Sequence, residues 1–167
     1  MKSYDQAYFQ RWYRDPADRV STRQTLERKV RMAIGVAEFL LGRHIRDVLD
    51  IGCGEAPWFP ILRRLRPRVR YTGIDSSEYV LRRFGASRNI RRGSLGQLPR
   101  MRIRGDVDLI VCADVLQYVD RQEAERGLGA IRALLGGVAY IEAFATEDRM
   151  EGDRVEWRES SRYDEAI

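Results

Sequence analysis

The 167-residue chain has the length of one domain, is 44% hydrophobic and 33% charged, and carries a net charge of +5. No run approaches the roughly 18 consecutive apolar residues of a membrane-spanning helix, and the stretch from Met1 to Asp15 lacks the apolar core of a signal peptide, so the expected compartment is cytoplasmic. The basic excess is almost all arginine, Lys2 and Lys29 being the only lysines; it is scattered along every segment as on solvated helix faces, which argues against nucleic acid as the partner.

The elements follow one another without repeats or linkers. Tyr4, Tyr8 and Trp12 recur at helical spacing, so the first twenty residues open with a short amphipathic helix broken at Asp15–Pro16. Two readings of its aromatic cluster, which includes Phe9 and Tyr13, stay open: packing onto the body, or a lid over a ligand pocket. Ser21 with Gln24 fits a capping box. It opens a helix on which Leu26, Val30, Ala33, Ala37 and Leu41 share a face until Gly42 stops it.

From there strands and helices alternate. Residues 47–52, 69–75, 89–93, 107–113 and 138–144 read as strands, the first an apolar run without period, as in a strand buried on both faces. Residues 58–66, 77–85 and 121–137 read as helices, the last closed by Gly136-Gly137. The alternation predicts an α/β fold with a parallel, doubly wound sheet and helices on both faces. The expected organisation is one domain over 1–167, with an N-terminal helical region (1–43), a core (44–145) and a polar tail (146–167). Cys53 and Cys112 lie in separate apolar runs and read as buried, reduced thiols. With one histidine, His44, and no paired cysteine motif, no metal site is expected.

In such sheets ligands bind beyond the carboxyl ends of the strands, where the strand order reverses. The loops after Ile51, Ile74, Ile90, Cys112 and Phe144 are therefore the candidate site. The first, "VLDIGCGEAPW", pairs Gly52 and Gly54, which admit positive φ and close backbone approach. A pyrophosphate-binding turn would want a third glycine at position 57; here Pro57 and Pro60 each remove an N–H donor. Asp50 and Glu55 add negative charge at the expected rim, which suits a cationic ligand. Asp75 ends the second strand about twenty residues after the glycine turn, where a carboxylate accepts from ribose hydroxyls; the competing reading is a helix cap, a task open to Ser76 or Ser77 as well. Ser94 and Leu95 in the third loop offer a hydroxyl and an apolar wall to an adenine. Asp114 follows the fourth strand, with Leu116 and Tyr118 beyond it at the pocket mouth.

Taken together, "VLDIGCGEA", "YTGID", "GSLGQLP", "DLIVCADVLQYV" and "GGVAYIEAF" resemble, in order and spacing over about residues 20–145, the class I S-adenosylmethionine-dependent methyltransferases. The resemblance implies a Rossmann-like sheet and bound S-adenosylmethionine. Its cofactor set here is Asp50, Gly52, Cys53, Gly54, Asp75, Ser76, Ser94, Leu95, Asp114 and Val115, with the methionine end at Gly52–Gly54, the ribose on Asp75 and the adenine near Ser94 and Leu95. Tyr8, Tyr13, Gln117, Tyr118 and Glu142 are the candidates for shaping a pocket for a small-molecule acceptor. No residue stands out as a catalytic base, and His44 precedes the first strand, at the end opposite the site. The chain departs from the family in carrying Ala56 at the third glycine, Ser94 where an acid is common, and a charged tail in place of the terminal antiparallel hairpin. That tail reads as the helix before such a hairpin, and the sheet edge it leaves open could pair in a homodimer. Three other readings remain: a non-catalytic cofactor- or partner-binding module, a nicotinamide-dependent reductase, which Pro57 opposes, and a nucleic-acid methyltransferase.

Overall fold

The computed structural model describes residues 4–15 and 21–144, so the expectations for Pro16 and for the 146–167 tail lie outside the described residues. Helix α1 (Gln6–Phe9) is capped by Asp5, whose carboxylate accepts from the Tyr8 N–H at 3.0 Å, and runs on as a π-helical turn over Gln10–Arg14. Helix α2 (Arg23–Leu41) starts one residue later than the capping-box reading. Thr22 is the extended residue, and its Oγ1 accepts from the Thr25 N–H at 3.1 Å. Ser21 lies outside the helix, its hydroxyl donating to the Thr22 carbonyl. Gly42 closes α2 at φ 63°, a left-handed cap that glycine adopts without steric cost.

Strand β1 (Asp47–Ile51), α3 (Trp58–Leu65), β2 (Arg70–Asp75), α4 (Glu78–Arg88), β3 (Ile90–Arg92), β4 (Val107–Ala113), α5 (Arg121–Leu134) and β5 (Leu135–Glu142) then alternate. The five strands are all parallel, in the order β3-β2-β1-β4-β5. Side chains alternate between two cores, as a period of two requires. Val48, Leu109 and Val111 face α2, α3 and α4, packing with Val30, Ala33, Ile61, Leu62 and Val80. Leu49, Ile51, Ile110 and Cys112 face α5 and the 3-10 turn Leu95–Arg100, packing with Leu95, Leu98, Leu128 and Ile131. This is a Rossmann-like sheet covered on both faces. Among the described residues no helix is long and apolar enough to cross a membrane, and Cys53 and Cys112 are free and buried. His44 stands at the far end of β1, 78% exposed and beside Glu38.

Two expectations change at the last crossover. Gly136 and Gly137 do not close α5; they belong to β5, which follows Leu134 without a loop. They look like a helix stop in the sequence, but Leu135 is already extended at φ −77°, ψ 119°. The glycines are there because β5 carries an extra residue: Val107 pairs with Leu135, yet Leu109 pairs with Val138. A Cβ on Gly137 would lie 2.3 Å from the Asp108 carbonyl oxygen, and one on Gly136 would lie 2.8 Å from the Asp106 Cα. Backbone cannot yield as a side chain would. Gly137→Ala is therefore expected to destabilise the fold by about 2 kcal/mol or more, read as a lower urea midpoint; an unchanged midpoint would contradict the bulge.

Candidate active site

Strand order reverses between β1 and β4, whose following loops diverge and open a crevice at the carboxyl edge of the sheet. A cavity of about 540 Å³ fills it. All ten residues expected to hold the cofactor line this cavity: Asp50, Gly52, Cys53, Gly54, Asp75, Ser76, Ser94, Leu95, Asp114 and Val115. So do Tyr8, Tyr13, Tyr118 and Glu142.

The turn after β1 is built for close approach. Gly52 (φ 64°), Gly54 (φ 53°) and Ala56 (φ 52°) are all left-handed, Ala56 at a steric cost that a glycine would avoid. A Cβ on Gly52 would lie 2.4 Å from the Val115 Cγ2, and one on Gly54 would lie 2.2 Å from the Tyr13 hydroxyl. Pro57 caps α3 with no side-chain bond, the Phe59 N–H is spent on the Ala56 carbonyl at 3.1 Å, and Pro60 has none to give. This helix start is a poor phosphate cradle.

Asp75 ties the turn to its neighbour. Its Oδ2 accepts from the Gly54 N–H at 2.7 Å and its Oδ1 from the Ser77 N–H at 2.8 Å. The helix cap is Ser77, whose Oγ accepts from the Val80 N–H at 3.2 Å, so Asp75 is not needed for that task. Two sequence expectations fail nearby. Asp50 is not on the rim but inside β1, 3% exposed, its Oδ2 accepting from the Tyr71 hydroxyl at 2.6 Å. Glu55 does not line the cavity; both its oxygens accept from the Arg14 guanidinium at 2.8 Å, and Tyr79 adds a third bond. The rim's negative charge is thus neutralised, and the acids that face the cavity lie deeper.

Gln117 is also misplaced by the sequence reading. It is fully buried, does not line the cavity, and turns its amide toward Asp114. The 3-10 turn Leu116–Tyr118 rotates it inward while sending Tyr118 to the cavity.

The N-terminal segment reconciles its two readings by being both. Phe9 is 3% exposed and stacks on Tyr79 at 5.6 Å, while Tyr4, Tyr8, Trp12 and Tyr13 line the cavity. The Ser77 hydroxyl donates to the Tyr4 carbonyl at 2.5 Å, and the Arg14–Glu55 pair pins the other end. Sequence reasoning missed Glu123 and Lys29. Glu123 reaches from α5 to accept from the Ser94 hydroxyl (2.8 Å) and the Gly96 N–H (3.1 Å), and so places a carboxylate beside Ser94. The acid expected in the third loop comes instead from a later helix, and only its position three residues into α5 hinted at it. Lys29 of α2 pairs with Glu142 of β5, whose other oxygen accepts from the Tyr140 hydroxyl at 2.7 Å.

Burial governs the electrostatics. Loss of water, offset by the Tyr71 bond and reinforced by Asp75, pushes Asp50 up to about 7. Burial and the nearby Glu142 push Asp114 up to about 6, against the pull of Lys29 and Gln117. A carboxyl whose folded value exceeds its unfolded 3.8 binds its proton more tightly when folded. Its contribution is complete below that unfolded value and is lost as pH rises through about 7. Asp50→Asn, which keeps an acceptor for Tyr71, is expected to flatten the fall in melting temperature of the ligand-free protein between about pH 4 and pH 7. Parallel melting curves for the two proteins across that range would refute a raised Asp50.

The sequence matches a family described as methyltransferase domain over residues 49–137, more than half of the chain. A curated protein of Synechococcus sp., itself uncharacterized, is 30% identical over 113 residues, covering 62% of this chain and 27% of that protein. The chain thus spans about a quarter of the length of the curated relative it matches. Among solved structures, the plantazolicin methyltransferase BpumL, in complex with a pentazolic desmethylPZN analog and SAH, aligns at TM-score 0.66 and 15% identity over 96% of this chain and 72% of that one. A SAM-dependent methyltransferase from Archaeoglobus fulgidus aligns at TM-score 0.59 and 15% identity, covering 81% of this chain and 55% of that one. The PH0226 protein from Pyrococcus horikoshii OT3 aligns at 0.60 and 16% identity over 81% and 79%. At such identities these structures attest the fold.

Proposed function

Because this chain belongs to the class I S-adenosylmethionine-dependent methyltransferase family, we propose that it binds S-adenosylmethionine in the cavity above β1 and β2 and transfers the methyl group to a small-molecule acceptor. The observation that carries the reading is Asp75. A carboxylate has about four lone-pair positions; the Gly54, Ser76 and Ser77 N–H groups draw on them, and Asp75 lines the cavity, where its remaining capacity suits a ribose hydroxyl.

The residues around it fit the rest of an adenosyl sulfonium. Val115 and Tyr13 lie directly over Gly52 and Gly54, and the Tyr13 hydroxyl is a donor for the carboxylate of the amino-acid moiety. Ser94 and Leu95 offer one hydroxyl and one apolar side chain to the adenine, with Glu123 anchoring the Ser94 hydroxyl from behind. The weak phosphate cradle at α3 speaks for a phosphate-free nucleoside and against a dinucleotide. When bound, the cofactor supplies a methyl group on a positively charged sulfur, displaced by an acceptor atom in line with the breaking bond.

The chain's own work is orientation and exclusion of water. The strap Tyr4–Arg14, latched through Arg14–Glu55 and Ser77–Tyr4, covers the cavity with aromatic rings and lowers its dielectric. Tyr118 after β4 and Glu142 on β5, beside the cofactor residues Asp114 and Val115, are the candidates for the acceptor side.

Calorimetric titration with S-adenosylmethionine and with S-adenosylhomocysteine tests the proposal. Both are expected to bind, and a saturating ligand is expected to raise the melting temperature. Asp75→Asn is expected to weaken both by roughly tenfold or more, since one buried acceptor is lost. No heat from either ligand at millimolar concentration would remove the reading.

A further inference from the structure

The arginine excess that looks evenly scattered in the sequence is not evenly neutralised. Residues 82–105 hold eight arginines and no acid, while the rest of the chain carries 22 basic side chains against 25 acidic ones. Seven arginines outside this segment, Arg14 and Arg43 among them, each meet a carboxylate in an ion pair. Of the eight, Arg92 alone does so among the described residues, on Glu78.

The fold gathers these arginines at one edge of the sheet. Strand β3 is the terminal strand there and pairs with β2. Its Arg91 and Arg92 point to opposite faces, as neighbours in a strand must. Arg92 reaches Glu78 at the start of α4, and Arg82, one turn along α4, acts on the same carboxylate. Arg91 donates to the Arg102 carbonyl at 3.0 Å and so ties β3 to the strip 100–104. In that strip Met101 and Ile103 pack on the core beneath α5, while Arg100, Arg102 and Arg104 are exposed. Arg83 on α4 is exposed as well; Arg88 is half-buried and donates to the Glu55 carbonyl. Seven exposed guanidiniums thus surround β3, with Glu78 among them and Asp106 just past the strip. This face lies outside the cavity but adjoins it, since Gly93 and Ser94, which follow Arg92, are part of the cavity wall.

The kind of partner follows from what the face lacks as well as from its charge. The exposed large apolar side chains, Met32, Val36, Phe39 and Leu40, all stand on α2, which packs on β4, β5 and α3 and not at this edge. Protein partners are held by aromatic and apolar anchors, and membrane-surface helices set apolar side chains beside their basic ones. A phosphodiester backbone needs neither. It takes charge and forked donors, and an arginine offers a phosphate two parallel N–H bonds. The aromatic ring of the segment, Phe84, is half-buried with Arg88 over it at 4.3 Å, so unpaired bases find no stacking platform. A duplex, whose phosphates face outward and whose bases are already stacked, fits better.

We propose that the β3 edge is a docking face for the sugar-phosphate backbone of a nucleic-acid duplex. Contacts of this kind fix where a duplex lies without reading its sequence. Docking there is independent of what the cavity holds.

The test is fluorescence anisotropy with an RNA duplex and a DNA duplex of one sequence, with polyglutamate and phosphatidylserine vesicles as competitors at equal charge. At least one duplex is expected to bind, with a log–log salt slope of about −4 or steeper, near −0.9 for each phosphate contacted. Preference for one duplex or equal binding of both supports the docking face, and tells which backbone it takes. Arg82→Gln, Arg102→Gln and Arg104→Gln combined are expected to flatten the slope by about 2 to 3 and to weaken binding at least about tenfold. Arg28→Gln, Arg68→Gln and Arg132→Gln combined remove the same charge from exposed sites elsewhere, and are expected to change binding by less than about threefold. Should the first triple variant fail to fold, Arg83→Gln with Arg100→Gln takes its place. Equal losses in the two triple variants, displacement of the duplex by polyglutamate or vesicles, or no duplex binding at about 50 mM salt overturns the docking face. S-adenosylhomocysteine affinity is expected to be unchanged in both triple variants, so failure of the cofactor reading would leave this outcome untouched.

Discussion

The carboxylate of Asp75 is the joint on which the site depends. Strands β1 and β2 each end in a turn, and nothing in the sheet ladder itself dictates how those turns face one another. By accepting from Gly54 and Ser77 together, Asp75 locks the glycine turn to the start of α4. Several other features hang on that lock. The Cys53 N–H reaches the Ile74 carbonyl at 3.0 Å, and a Cβ on Gly73 would lie 2.8 Å from the Cys53 Sγ. The aromatic strap then lies across both turns, with Phe9 on Tyr79 and Tyr13 on Gly54. A buried carboxylate is costly unless hydrogen-bonded, and here those bonds also hold the geometry in place.

The same region concentrates ionisable groups that would rather be neutral. Burial raises Asp50, Asp75 and Asp114 together, and raises Cys53, Tyr13 and Tyr71 as well. Ionising this buried cluster opposes folding as pH rises. Perturbed groups of this kind gather where a fold gives up stability for chemistry. The opposite edge of the sheet shows the contrast. There Asp108 meets the Arg43 fork and the Arg46 and Asp47 N–H groups, and those bonds pull its carboxyl below the ordinary range against the effect of burial. Glu38, held by Arg66 and His44, falls to about 2. Acids at that edge stabilise the fold; burial holds those at the carboxyl edge against ionisation.

Much of this was legible in the residues alone because strands buried on both faces must be apolar throughout, and helices that cover them must be apolar on one stripe. Alternation of the two patterns leaves a parallel sheet as the solution, and the Gly52–Gly54 pair then marks the crevice. Local signals misled where they had two meanings. Gly136-Gly137 looks like a helix stop, yet it serves a bulge whose cause is the Asp106–Asp108 backbone, some thirty residues away in sequence. Asp50 and Glu55 look alike as acids beside a glycine turn. One points into the β1–β2 seam toward Tyr71, and the other is claimed by an arginine forty-one positions earlier.

By itself the sequence determined the order of elements, the parallel sheet and the edge at which a ligand must bind, since these follow from periodicity and chain connection. Only the tertiary structure decided which acids face that ligand. Glu123 stands in for the acid missing from the third loop, Gln117 turns inward toward Asp114, and Lys29 neutralises Glu142. The physical reason is that a carboxylate's role is set by the donors that reach it, and in this fold those donors come from helices, strands and loops remote in sequence.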